Sequence, residues 1–352
     1  MVEPASPAAI GTRTPASRTP ARVGYLALAL ALSGLLLYYS FRGLDWAAVG
    51  ATLRGAEPAR VLAWLAVGSL SLLLRAARWR VLLSAQAPVP FPTVFWATCA
   101  GYFGNAFLPA RAGELVRTMV IRIKTGLSSS YVLTTALSER IVDAVTLVLI
   151  SSLVLLILPT RPGWFAGATR VFVPLGVGGA LAIVLLPLLE KLWRSLLQRL
   201  PLPAGLKQRV EGVLEQVLLG ASALHNPSRL FRFLGLTAVI WTIDGCATML
   251  GGWALHLAIP LPVAFLLVAG LGLGSALPST PGYVGIYQFV AVSVLSPFGI
   301  ARSDAVAYIL LAQAIQYVSI TAWGLLAFSK LGGWKRWTRP ENDATERLVE
   351  KA

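Results

Sequence analysis

The chain has 352 residues, 56% of them hydrophobic and only 13% charged, with a mean hydropathy of +0.71. That composition is too apolar for a water-soluble fold and places the chain in a lipid bilayer. Its 30 Lys and Arg against 15 Asp and Glu leave a net charge of +15, which suits anionic membrane surfaces and, without a basic soluble domain or aromatic platform, does not argue for nucleic acid as a partner.

In chain order, residues 1–22 are rich in Pro, Ala, Ser, Thr and Arg with no apolar period, which predicts a disordered basic tail. Residues 23–41 ("VGYLALALALSGLLLYYSF") are long enough to span a hydrocarbon core of about 30 Å. They are followed by Arg42 and Asp45 instead of a small-residue cleavage site, so they read as a retained anchor. Further apolar runs centre on 61–74, 136–158, 171–189, 233–258 and 304–328, giving about six full crossings. The segment 190–222 is basic and amphipathic, and is expected to lie on the cytoplasmic leaflet.

Two other apolar stretches, 91–109 and 261–298, are interrupted by Gly and Pro. Such breaks free backbone polar groups that lipid does not satisfy, so they belong inside protein, lining a cavity. The expected fold is an all-α, polytopic integral membrane bundle of about six to eight spans with two broken, re-entrant segments. The upper figure applies if 261–298 makes two further crossings. Lys and Arg in the tail, in "RAARWR" (75–80), from Arg111 to Lys124, in 190–232 and in "KLGGWKRWTR" predict both termini on the cytoplasmic side of the cell membrane. On that orientation the first broken segment dips in from the cytoplasm and the second from outside. One constant offset carries Gly101, Leu108, Pro109 and Gly113 onto Gly270, Leu277, Pro278 and Gly282, which suggests an inverted repeat.

Charged residues inside so apolar a chain are the candidate site. In "LPARAGELVR", Arg111, Glu114 and Arg117 recur every three residues and share a helix face. They read either as a cationic pocket for a phosphate-bearing headgroup or as a surface helix whose arginines snorkel to lipid phosphates. Asn105 precedes them in the broken segment. In "LSERIVDAV", Glu139 and Asp143 share a face and Arg140 is spaced to reach Asp143; the charges either face the bundle interior or sit just below the headgroups. Asp244 is an isolated carboxyl near the middle of a span, and needs an arginine, a cation, water or a proton. The loop "PSTPGYVGIYQF" offers Ser279, Thr280, Gly282, Tyr287 and Gln288, either as a cavity lining or as a tight turn. Cys99 and Cys246 have neither metal-ligand nor disulfide spacing, and neither a metal nor another cofactor is expected.

Three motifs together resemble the lysylphosphatidylglycerol synthase transmembrane-region family of flippase-like membrane proteins. They are N-x2-L-P-x-R-x-G-E-x2-R (Asn105 to Arg117), E-R-x2-D (Glu139, Arg140, Asp143) and the P-G-x2-G loop (Pro281, Gly282, Gly285). The resemblance implies a flippase-like transmembrane domain over 23–330 and a short cytoplasmic tail at 331–352. It also implies a lipid substrate moved between leaflets: an anionic phospholipid, a polyprenyl-linked sugar or a hopanoid. Two departures stand out, Tyr283 where the family has a second glycine and Gln288 where it has an acid. The segments outside the apolar runs are too short for the soluble transferase domain of the fused synthases, so lipid synthesis is not expected of this chain alone. With no Walker A sequence, no D-x-D, and only His225 and His256 as histidines, a transporter is the expectation. A membrane-embedded lipid-modifying enzyme or a non-catalytic partner of a lipid synthase is the alternative.

Overall fold

The computed structural model of the protein describes residues 19–108, 112–158, 226–277 and 280–332, with scattered positions between 167 and 212. The described residues are helical throughout, with no strand among them. Helix α1 (Thr19–Phe41) bends by 85° into the short α2 (Trp46–Arg54). The helix thus begins inside the stretch read as tail. Asp45 sits at the bend and accepts the backbone N–H groups of Ala47 and Ala48 at 2.9 and 3.1 Å, which starts α2 as an N-cap does. Four helices are long and apolar enough to cross a membrane: α3 (Pro58–Leu83), α6 (Ser129–Ile157), α7 (Pro227–Ala254) and α10 (Arg302–Lys330). The bent α1–α2 pair makes a fifth candidate among the described residues. Proline at the first turn of α3 and α7, Ser128 accepting Tyr131 N–H before α6, and Asn226 accepting Ser228 N–H before α7 fix where these helices start. The apolar run 171–189 and the segment 190–222 lie largely outside the described residues, as do 1–18 and 333–352.

The stretch 91–109 holds a single helix that forms a hairpin with the helix after it, and 261–298 is a hairpin in itself. The first pairs α4 (Phe91–Phe107) with α5 (Gly113–Thr125), and the second pairs α8 (Leu261–Gly274) with α9 (Ile286–Leu295), a one-turn 3-10 helix at Pro281–Tyr283 lying between them. At about 1.5 Å per residue, the 14 residues of α8 and the 10 of α9 reach about 21 and 15 Å, too short for a core of about 30 Å. Close approach at small residues holds the first hairpin: a Cβ on Gly104 would lie 2.8 Å from the Cα of Gly113, and one on Gly113 would strike the Gly101 carbonyl.

The long helices pack crosswise around the hairpins. Helix α3 lies along α7, α4 packs on α10, and α8 packs on α6. Two apolar cores result. One, with Trp79, Val94, Ala100 and Ile121, sits under the first hairpin; the other, with Leu267, Ile286, Leu295 and Tyr308, sits under the second. Large apolar side chains such as Leu62, Leu153 and Phe231 remain on the outside, as expected where the surrounding solvent is lipid.

One element differs from its sequence reading in a way that matters. "RAARWR" is not a connecting loop but the last two turns of α3, and Arg78 is only 2% exposed. The apolar period of 61–74 simply continues through it. Arg78, and Arg75 in part, face inward with Ser71, Leu72, Trp79 and Leu82, whereas Arg80 is exposed, which a count of basic residues does not reveal.

Candidate functional site

Charged residues of α3, α5, α6 and α7 assemble into a chain of ion pairs and, beside it, the separate Arg75–Asp244 pair. Arg78 on α3 donates both guanidinium arms to Asp143 on α6, Nη1 to Oδ1 at 2.6 Å and Nη2 to Oδ2 at 2.9 Å. It also reaches Glu139 Oε1 at 3.4 Å and Thr237 on α7 at 3.3 Å, while Phe233 lies beneath its guanidinium. Arg117 on α5 donates to Glu139 Oε2 at 3.1 Å, pairs with Glu114 through Nε at 2.5 Å, and stacks 4.3 Å over the Trp79 ring. Arg140 donates from Nε and Nη2 to Glu114 Oε1 at 3.2 and 2.8 Å. Arg75 pairs with Asp244 at 2.5 Å, Ser71 donates to the other carboxylate oxygen at 2.7 Å, and Trp241 underlies the guanidinium at 5.1 Å.

The four arginines Arg75, Arg78, Arg117 and Arg140 thus meet the four acids Glu114, Glu139, Asp143 and Asp244, and the network is neutral in sum. This explains how so many charges tolerate burial in a membrane protein, since an unpaired ion at that depth costs several kcal/mol. The network also ties the first hairpin to α3, α6 and α7.

A cavity of about 400 Å³ opens between the two hairpins, within the range of small-ligand sites. The first half contributes Tyr102, Asn105 and Glu114, and the second contributes Gly282, Tyr283 and Tyr287. Its polar wall carries two of the ion pairs, Arg75–Asp244 and Arg140–Glu114, with Gln313 and Gln316 from α10. Trp64, Trp241, Tyr308 and Tyr317 supply aromatic surface. Two buried polar atoms of residues on this wall, Asn105 Oδ1 and Trp241 Nε1, have no hydrogen-bond partner among the described residues.

The residues singled out in the sequence divide into three groups. Asn105, Glu114, Arg140, Asp244, Gly282 and Tyr287 line the cavity. Arg117, Glu139 and Asp143 lie behind its wall in the ionic network. Thr280 and Gln288 do other work. Thr280 contacts Ser33 of α1 at 3.4 Å. Gln288 is buried, accepts Gly285 N–H at 2.8 Å to cap α9, and donates to Gln313 at 2.5 Å, which in turn donates to the Gly282 carbonyl. Arg111 and Ser279 lie outside the described residues.

One expected pairing is corrected, and of the partners open to Asp244 the structure supplies an arginine. Arg140 turns to Glu114, leaving Asp143 to Arg78, because Asp143 lies on the face of α6 toward α3 and Arg78 presents a matching fork. Asp244 is not isolated, since its partner comes from α3. Arg75, Arg78, Tyr102 and Gln313 were not recognised from the sequence. The i, i+3 arginines directly after the apolar run "GSLSLLL" were the available signal. Tyr283 takes a left-handed φ of +59°, a conformation that glycine adopts freely. It stacks on Tyr287 with ring centroids 4.9 Å apart.

The family model described as lysylphosphatidylglycerol synthase TM region matches residues 26–324. A protein of Haloferax volcanii named glycosyltransferase AglD is 27% identical over 321 residues, covering 81% of this chain and 50% of that protein. The chain therefore spans half the length of that relative. A protein of Methanothermobacter thermautotrophicus named UPF0104 membrane protein is 23% identical over 299 residues, 78% of this chain and 84% of its own length.

Proposed function

The chain belongs to the lysylphosphatidylglycerol synthase transmembrane-region family, and from that premise we propose that it moves a polar or phosphate-bearing lipid between the leaflets of the cell membrane. The observation that carries this reading is the cavity between the two hairpins, walled by the Arg75–Asp244 and Arg140–Glu114 pairs. A headgroup enters it while the acyl or prenyl tails stay in lipid. Its phosphate replaces a carboxylate oxygen at one edge of Arg75 or Arg140, which suits the planar fork of arginine. The charge then never crosses bare hydrocarbon, a passage that costs from about 3 to above 10 kcal/mol.

The packing supports an inverted repeat. Exchanging α3, the first hairpin and α6 for α7, the second hairpin and α10 carries the α4–α10 contact onto the α8–α6 contact and α3–α7 onto itself. The re-entrant hairpins then approach the midplane from opposite sides, and rocking of one half against the other exposes the cavity to each leaflet in turn. The Lys and Arg of the N-terminal tail, of 190–232 and of "KLGGWKRWTR" orient both termini to the cytoplasm.

The test is movement of a panel of headgroup-labelled lipids in proteoliposomes, with wild type beside Arg140→Gln and Asp244→Asn, each checked for folding by thermal unfolding. One lipid class moves faster than in protein-free vesicles, and both substitutions slow it at least tenfold. Equal rates in empty vesicles, or variants as fast as wild type, overturn the reading. The relative named glycosyltransferase favours a second reading, a lipid-modifying enzyme or its membrane partner. Mass analysis of the lipids after incubation distinguishes that case, because a modified lipid changes mass and a translocated one does not.

A further inference from the structure

Beside the polar wall of the large cavity lies a second, much smaller void of about 10 Å³. That volume is about what a single water-sized particle needs, far less than a phosphate group occupies. Its lining is unusual in charge: Arg75, Arg78, Arg117 and Arg140 with Glu139 and Asp143, together with Tyr102 and Thr98. The other two acids of the network, Glu114 and Asp244, face the large cavity instead. Four cations therefore look onto this space and two anions do.

A second observation points to an occupant. Arg117 is 4% exposed, and although its other nitrogens engage Glu114 and Glu139, the buried Nη2 has no hydrogen-bond partner among the described residues. A charged donor left in that state carries the full desolvation penalty, in a region with no bulk water to relieve it. Thr98 spends its hydroxyl proton on the Val94 carbonyl at 2.8 Å, so it adds no donor that competes for a bound acceptor.

We propose that this void is a binding site for a monatomic anion, with chloride as its physiological occupant. The ion accepts from Arg117 Nη2, the guanidinium nitrogen that the carboxylates leave unengaged. Arg75, Tyr102 and Arg140 line both this void and the large cavity. The bound ion therefore sits directly behind the groups that face a substrate and holds the two arginines in place without entering the cavity. The inference concerns the inner void alone and stands whether or not the chain moves lipid.

The test uses the purified full chain in detergent, exchanged into chloride-free gluconate. Titrating chloride or bromide at constant ionic strength raises the unfolding midpoint saturably, by about 2–4 °C, while further gluconate does not. Arg117→Lys keeps the charge but removes the forked nitrogen, and abolishes the halide response. Because that variant risks misfolding, the decisive measurement is made on wild type: crystals grown in bromide show an anomalous peak between Arg117 and Tyr102. A water in the void with no halide response overturns the proposal. A halide response whose anomalous peak lies elsewhere overturns it equally.

Discussion

Arg78 is the residue whose removal tests the ionic network most directly. It is 2% exposed, binds both oxygens of Asp143 at 2.6 and 2.9 Å, and leans toward Glu139 at 3.4 Å. Replacing it by Met leaves Asp143 buried with no cation in contact, whereas Glu139 keeps Arg117 Nη1 at 3.1 Å. Breaking one side of a buried pair costs about 3–5 kcal/mol, most of it the penalty of the stranded charge. If that accounting holds, Arg78→Met combined with Asp143→Leu recovers most of the loss. The double change strands nothing: Glu139 retains Arg117, and the Thr237 hydroxyl still donates to the Phe233 carbonyl at 2.8 Å. Equilibrium unfolding in mixed micelles, followed by tryptophan fluorescence, reads both variants. A single variant within about 1 kcal/mol of wild type, or a double variant as unstable as the single, refutes the reasoning.

Three further outcomes follow from local geometry. Tyr283→Gly and Tyr283→Ala both lose the stack on Tyr287, but only alanine keeps the left-handed backbone penalty at φ +59°; the glycine variant is therefore the more stable by about 1 kcal/mol in thermal unfolding. Gly104→Ala places a Cβ 2.8 Å from the Gly113 backbone and loses about 1–3 kcal/mol by prising the first hairpin apart. Gly235→Ala, with open space around it in α7, gains up to about 1 kcal/mol; the reverse order of these two would discredit the packing described. Gln288→Ala strips Gly285 N–H of its acceptor and costs about 1–3 kcal/mol, measurable by the same unfolding and by faster amide exchange at the start of α9.

Membrane residence, the breaks at 91–109 and 261–298 and most of the cavity-facing residues were legible because lipid imposes a simple rule: every polar group in an apolar run needs a reason. Glu114, Arg140 and Asp244 each violated the surrounding hydropathy, and each lines the cavity. Partner choice was not legible. Arg140 and Asp143 are three apart on one helix, yet the fork of Arg78 from α3 takes Asp143 because a bidentate contact across helices outcompetes a single contact along one. Arg75 and Arg78 count, by sequence, with the basic residues that set orientation, because basic residues at the end of an apolar run look alike whether they face headgroups or a buried acid. Only the inter-helix register separates the two cases.

The two hairpins are held by different means. The first is bound into an interlocked set of ions, whereas α8 and α9 carry no charged residue and are secured by amides and shape. This difference governs how the fold can diverge. On the charged side nearly every single exchange strands an ion in lipid, so change requires two coordinated steps and is slow. On the neutral side, positions such as Tyr283 and Gln288 can be exchanged one at a time at modest cost. Sequence change in descendants of this fold is therefore expected to accumulate along the second hairpin, while the first is inherited intact.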